Sequence, residues 1–169
     1  DAAAPHLTWN DAPIPSGAPT FFEIAGVCRR YHCPQSRTLC FGTVPARYRK
    51  AEAAAHAAIE AGLSAARPGA TASEVAAAVL AAIRAHGFEK DSRVGYGVGI
   101  GYPPDWGERS FSLRSGDATV LEAGMTFHLM PGLWLDDGGV EITETALVTP
   151  TGAEPLARTP SAITAAAGG

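Results

Sequence analysis

The chain predicts an α+β fold, with two helices packed on one face of a largely antiparallel sheet. Three observations carry this. Two strand-like runs rich in Phe, Val and Cys come first, FFEIAGVCRR (21–30) and YHCPQSRTLCFG (31–42). Two Ala-rich runs of helical composition follow, near 47–66 and 72–86. Short apolar strands separated by turn residues then continue to about residue 158.

Each element has a local reason. Residues 1–19, rich in Pro and Ala, read as an extended segment leading to the first strand. Residues 21–42 read as a hairpin in which Pro34 needs an edge or a bulge, because it has no N–H for a ladder. The first helix starts after Pro45 and is broken by RPGAT. Thr71 and Glu74 match a capping box, and the second helix stops at Gly87. Beyond it, 95–101, 125–134 and 139–149 read as strands, with turns at Arg114 to Asp117 and Asp136 to Gly139. Residues 159–169 read as a disordered tail.

Composition narrows the function classes. At 169 residues and 46% hydrophobic content, the chain makes one domain with a real core. No apolar run approaches the ~18–20 residues of a membrane span. A net charge of -4 argues against nucleic acid or anionic lipid as the main partner. Cys28, Cys33 and Cys40 form no CxxC pair and are odd in number, which suits reduced thiols in a cytoplasmic protein.

The glycine string GYGVGIGYPPDWGERS (95–110) is not a dinucleotide loop. A helix precedes it, and Pro103-Pro104 forbids one directly after it. Alternate glycines in a strand instead let a ligand or another backbone come close. Tyr102, Asp105 and Trp106 then sit on a rigid loop at the strand's mouth.

Strand parity singles out three ionisable residues. His128, Met130, Gly132 and Trp134 share one face, as do Glu141, Thr143 and Thr145, with Glu144 pointing oppositely. Glu23 lies between Phe22 and Ile24 in the first hairpin. A single strand acid is normally solvated. Three ionisable groups within the strands of one domain, amid aromatics, favour a site. No HxxxH, HxH, HExxH or GxSxG motif occurs, and His6, His56 and His86 fall in the leading segment and the helices. Cys33 and His32 project to opposite faces and make no catalytic pair.

The order FFEIAG, YHCPQSRT, GVGIGYPPDWGE, LEAGMTFHLMPGLW and GGVEITETALVT resembles the catalytic domain of the creatinase/prolidase/methionine aminopeptidase superfamily, over residues 20–158. YHCPQSRT and the unbroken YPPDWGE look most like its ectoine hydrolase branch, whose members open a cyclic amidine. The resemblance implies a partial pita-bread domain: a curved sheet with helices on its convex face, apparently lacking the N-terminal part. One sheet face would then stay incompletely covered, leaving an apolar patch.

The resemblance also implies a site. Metallopeptidases of this superfamily bind two metal ions, through positions that fall here on Glu23, Pro34, Val98, Met130 and Thr143. Of these, Glu23 alone can ligate a hard cation, so neither metal nor cofactor is expected. The implied substrate is ectoine or a similar cyclic amidine. Glu23, Glu141 and Asp105 would hold its amidinium, with Glu23 as nucleophile or general base and His128 passing a proton to the leaving nitrogen. Tyr102, Trp106 and Trp134 would shape the pocket, and His32, sharing parity with position 34, would face it. A homodimer is implied too. The rival readings are a creatinase-like C–N hydrolase for another small cation, and a pita-bread domain that binds without turnover. The sharpest expectation is that Glu23, Asp105, His128 and Glu141 converge on one concave pocket.

Overall fold

The computed structural model describes residues 11–167; the first ten residues of the expected leading segment and the last two of the expected tail lie outside them. Strands β1 (Pro19–Cys28) and β2 (Tyr31–Phe41) form the hairpin the sequence suggests. Its turn is Arg29-Arg30, with φ of 49° and 70°. Two left-handed residues in a two-residue loop match the right-handed twist of the strands, a conformation that usually selects Asn and Gly. Two arginines give no such signal in the sequence.

Pro34 is neither on an edge strand nor in a bulge, because β2 lies inside the sheet. Alternation from the Cys28–Tyr31 pair that closes the turn puts Ala25–Pro34 at a non-hydrogen-bonded position. On its other side β2 meets the next sheet strand only at Tyr31, so no ladder bond is missed there.

Helices α1 (Ala46–Ala65) and α2 (Ala72–Ala85) lie within a residue of expectation. The Thr71 hydroxyl accepts the Glu74 N–H, and the Glu74 carboxylate accepts the Thr71 N–H at 2.7 Å, so the capping box is complete. Beyond α2 run β3 (Gly95–Tyr102), β4 (Asp105–Leu113), β5 (Thr126–Leu129), β6 (Leu133–Leu135), β7 (Gly138–Val140), β8 (Glu144–Thr149), β9 (Gly152–Pro155) and β10 (Thr164–Ala166). The PPDW segment expected as a loop is a tight turn between β3 and β4, with Tyr102 paired to Asp105.

The main sheet runs β1-β2-β3-β5-β8-β9, with β4 added to β3 and β10 to β2. Every pairing is antiparallel except β10 with β2. The helices cover the face carrying Phe127, Leu129, Ala146 and Val148, all buried. Contact there is close: a Cβ on Gly62 of α1 would lie 2.7 Å from Leu129 and 3.0 Å from Val79 of α2. That leaves His128 and Thr145 to point the other way.

The segment expected as a disordered tail is tied down. Ile163 is buried, its N–H bonds Glu52 at 2.6 Å, and β10 pairs with β2. Arg37 anchors the same segment: it donates to the carbonyls of Thr159 and Pro160 and to that of Thr143, and it pairs with Glu144 at 2.6 Å. Phe22, Ile24, Tyr31 and Ile100 are each about half exposed; Phe22 and Ile24 point to the face opposite Glu23, at the β1 end of the sheet.

Arg37→Met keeps the packed stem but strips donors from those carbonyls and from the nearly buried Glu144. Burial raises the Glu144 pKa, with Arg37 opposing it. Removing one partner of a buried pair costs about 3 kcal/mol. A group with a raised folded pKa stabilises below its unfolded pKa and loses that stability as pH rises through the folded value. Denaturant unfolding of Arg37→Met is therefore expected to show a larger deficit at pH 8 than at pH 5, and an equal deficit would refute the role given to Glu144.

Candidate functional site

The site grows from one buried histidine. Register places Tyr96 of β3 opposite His128 of β5, and His128 opposite Thr145 of β8. His128 is 0% exposed. Its Nδ1 lies 3.0 Å from the Tyr96 hydroxyl and its Nε2 lies 2.6 Å from the Thr143 hydroxyl. Thr143 also accepts the Ser36 N–H at 2.6 Å, and Tyr96 accepts the Trp106 indole N–H at 2.8 Å. A chain of hydrogen bonds thus runs from the β4 turn through β3 and β5 to β2. Glycine makes the approach of β3 possible, since a Cβ on Gly95 would overlap the His128 carbonyl and Leu113.

Two carboxylates flank this chain. Glu23 Oε1 lies 4.0 Å from His128 Nδ1, an ion-pair distance. Burial, aided by the nearby Arg93 charge, nevertheless lowers the His128 pKa to about 3. With both ring nitrogens held by hydroxyls, the contact is carboxylate against neutral imidazole. Glu141, 3% exposed, moves the opposite way: burial first, and then the charge of Glu23, raise its pKa to about 7. Half-buried Lys90 opposes that rise and donates to the Gly132 carbonyl at 2.9 Å. Ser36 Oγ also eases it but makes no bond of hydrogen-bonding geometry, so it does little against burial.

In front of Glu23 opens a cavity of about 550 Å³, lined by Arg93, Tyr96, Asp105, Trp106 and Met130 among others. Among the four residues expected to converge, Glu23 and His128 meet directly, and Glu141 lies within electrostatic reach of Glu23. Asp105 stands at the mouth, its pKa lowered by the Gly107 N–H and then by Arg109. Trp106 lines the cavity. Trp134 packs on Phe21 at 5.4 Å, beside Gly132 and the Glu141 carboxyl.

Two expected residues fall elsewhere. Tyr102 is 63% exposed and lines a neighbouring hollow of about 520 Å³, which meets the Glu23 cavity at Asp105, Gly107 and Arg109 but does not include Glu23. His32 bonds the Arg30 carbonyl and packs against Gly101, away from the Glu23 cavity. The residues sequence reasoning missed are Tyr96, Arg93 and Lys90. Tyr96 shares strand parity with Val98, so the signal was present.

The five positions the resemblance marks for metals do not fit a metal pair. The Thr143 hydroxyl is taken by Ser36 and His128, Val98 is buried and apolar, and Met130 and Pro34 offer no hard donor. Among the described residues, no three His, Cys, Asp or Glu side chains gather as a metal-binding group.

A family model described as metallopeptidase family M24 matches residues 1–150. The chain belongs to that family. It is 55% identical to the ectoine hydrolase of Halomonas elongata over 161 residues, which is 95% of this chain and 40% of that protein. Among solved structures, dipeptidase PepE from Mycobacterium ulcerans superposes with a TM-score of 0.88 at 26% identity, covering 97% of this chain and 44% of that one. Prolidase from Pyrococcus furiosus gives 0.85 at 28%, covering 94% and 47%. This M24 chain thus spans less than half the length of these relatives, and the pita-bread fold is shared throughout. No helix among the described residues is long and apolar enough to cross a membrane.

The two shifted groups set opposite pH trends. Glu141, with its raised pKa, stabilises most below its unfolded value of about 4.5, and that stability is lost as pH rises through about 7. His128, with its lowered pKa, stabilises fully above about 6.5 and loses that contribution as pH falls toward about 3. Glu141→Gln stays neutral throughout. Unfolding free energies between pH 5 and 8 are expected to fall more steeply for the parent than for the variant, by roughly 3 kcal/mol across the range. Parallel curves would show that Glu141 titrates normally.

Proposed function

We propose that this domain hydrolyses a cyclic amidine C–N bond without a metal, with ectoine as the substrate and N-acetyl-diaminobutyrate as the product. One observation carries the reading: two carboxyl groups, Glu23 and Glu141, flank one buried network, close enough that the charge of Glu23 adds to burial in raising the Glu141 pKa to about 7. The similarity to an ectoine hydrolase supports the substrate. The donor set described above supports the absence of metal, and three cysteines without a disulfide suit a cytoplasmic enzyme.

The chemistry uses this chain's own groups. The amidinium is a flat cation, and charge-assisted bonds to carboxylates hold it. Glu23, ionised, takes a proton from water as the oxygen adds to the carbon between the ring nitrogens. Glu141, near half-protonated at neutral pH, gives its proton to the leaving nitrogen as the C–N bond breaks, and regains one from the hydroxyl that becomes the amide carbonyl. The proton on Glu23 ends on the freed amine, which leaves as an ammonium. In a second route Glu23 attacks the carbon itself, and water then cleaves the adduct.

This moves the proton donor from His128, the sequence-based choice, to Glu141. A histidine with a pKa of about 3 carries no proton to give at neutral pH. Its part is to hold Tyr96 and Thr143 in place.

Glu23→Gln in the full-length protein is expected to cost more than ~100-fold in kcat, beyond the loss of a general base alone. Turnover should fall as pH rises through about 7, following Glu141. An acid-quenched adduct with the substrate's added mass would mark the direct route. Protein purified without a His tag should hold well under one metal ion per chain and keep its activity in chelator. Near-normal turnover by Glu23→Gln, or activity that needs zinc, iron or manganese, would overturn the reading.

A further inference from the structure

A buried hydroxyl stands between the two carboxyl groups, and the proposed hydrolysis leaves it idle. Ser36 of β2 is 0% exposed, and its Oγ has no hydrogen-bond partner among the described residues. A buried hydroxyl left so is a net cost to folding, of a kind that alanine at the same place would remove. It is also held still. The Ser36 N–H donates to the Thr143 hydroxyl at 2.6 Å, and the Ser36 carbonyl accepts the Thr143 N–H at 3.2 Å and the Arg37 guanidinium at 2.8 Å. Strand β2 therefore fixes where the hydroxyl stands and leaves its hydrogen able to turn.

The surroundings of that hydroxyl are acidic. Register puts Ser36 directly opposite Glu23 on β1. Alternation from the Cys28–Tyr31 pair makes this a non-hydrogen-bonded pair. Side chains stand closest in such pairs, on a shared face, with Cβ atoms about 4.5–5.5 Å apart. On the other side, the Thr38 hydroxyl donates to the Glu141 carbonyl and accepts the Glu141 N–H, which lays Glu141 alongside β2 near Ser36. The Ser36 hydroxyl is close enough to act on the Glu141 carboxyl, though short of hydrogen-bonding geometry. The Thr143 hydroxyl, a further polar neighbour, is already taken by the Ser36 N–H and His128.

We propose that Ser36 is a positioning residue of this site, its hydroxyl bridging Glu23 and Glu141 and carrying a proton from one to the other. The proposal rests on the hydrolase reading and supplies the path that the proton on Glu23 takes. A hydroxyl suits a pair in which one carboxyl is protonated and the other charged, because it accepts from the acid and donates to the carboxylate. When Glu141 hands the freed amine its last proton, Glu141 is left ionised while Glu23 still holds the proton taken from water. The Glu23 O–H then gives its proton to Ser36 Oγ as the Ser36 O–H gives its own to Glu141. Two O–H bonds break, two form, and the negative charge moves from Glu141 to Glu23. Ser36 ends as it began, and the starting pair is restored. The contribution is therefore expected in turnover and not in substrate capture.

The test compares full-length parent protein with Ser36→Ala and Ser36→Thr. Ser36→Ala is expected to keep the parent's melting temperature, since removing a buried hydroxyl offsets the lost bond. Its kcat on ectoine should fall roughly 10- to 100-fold, the size of a lost hydrogen bond to a charged group, with KM little changed. Ser36→Thr keeps the hydroxyl and should recover most of kcat. An unchanged kcat in Ser36→Ala, or a loss that Ser36→Thr does not recover, would overturn the bridge and leave the hydrolysis in place. Carboxyl-carbon NMR of glutamate-labelled protein reads the bridge without turnover. The titrations of Glu23 and Glu141, assigned with Glu23→Gln and Glu141→Gln, should both shift in Ser36→Ala; a shift in one alone, or in neither, counts against the bridge. If the parent turns over no ectoine yet both titrations shift, the bridge stands while the hydrolase reading falls. If the parent turns over no ectoine and the two do not shift together, both fall.

Discussion

The structure depends on keeping an uncharged imidazole in the middle of a sheet. His128 has no solvent contact, and a charged ring there would be costly to desolvate. The hydroxyls of Tyr96 and Thr143 satisfy both nitrogens, and each of those hydroxyls is fixed by a further N–H, from Trp106 and Ser36. This chain crosses strands far apart in sequence and fixes their separation. It also leaves a rigid, polar wall that Glu23 and Glu141 flank, and against which burial raises the pKa of Glu141. Removing any hydroxyl would strand a buried nitrogen, so the network holds as a set.

A second constraint acts from behind. The helices lie close against the other face, with Gly62 letting α1 touch both β5 and α2. The C-terminal segment closes over the same side through Arg37, Glu52 and β10. Packing therefore fixes the backs of β2, β5 and β8, and their fronts inherit that precision. The site is built on strands whose positions the core dictates.

Much of this was legible in residue order, for identifiable reasons. Helix limits followed from composition and from a capping box whose two bonds are local. Parity put His128, Glu141 and Thr143 on the site face and sent Glu144 away from it, because a period of two is geometric. Tertiary facts were harder to read. The Arg29-Arg30 turn carries no turn residues, and Pro34 fits because β2 and β3 part company beside it. The Ala-rich tail looked disordered until Glu52 and β2 supplied partners. The role of His128 depended on burial, which no local pattern states. Tyr96 was hidden among glycines whose spacing attracted attention first. Tyr102 and His32 looked central, although neither lines the cavity in front of Glu23.

Gly95 shows how tolerance to change is distributed in this wall. It touches no substrate, yet a single methyl there would collide with the His128 carbonyl and with Leu113. In a saturation library this position should therefore behave as a gatekeeper of cavity shape. Even alanine would force β3 away from β5 and lengthen the Tyr96–His128 bond. Variants aimed at new substrates would do better at exposed Arg93, whose side chain lines the cavity, than at the neighbouring glycine that looks easier to change.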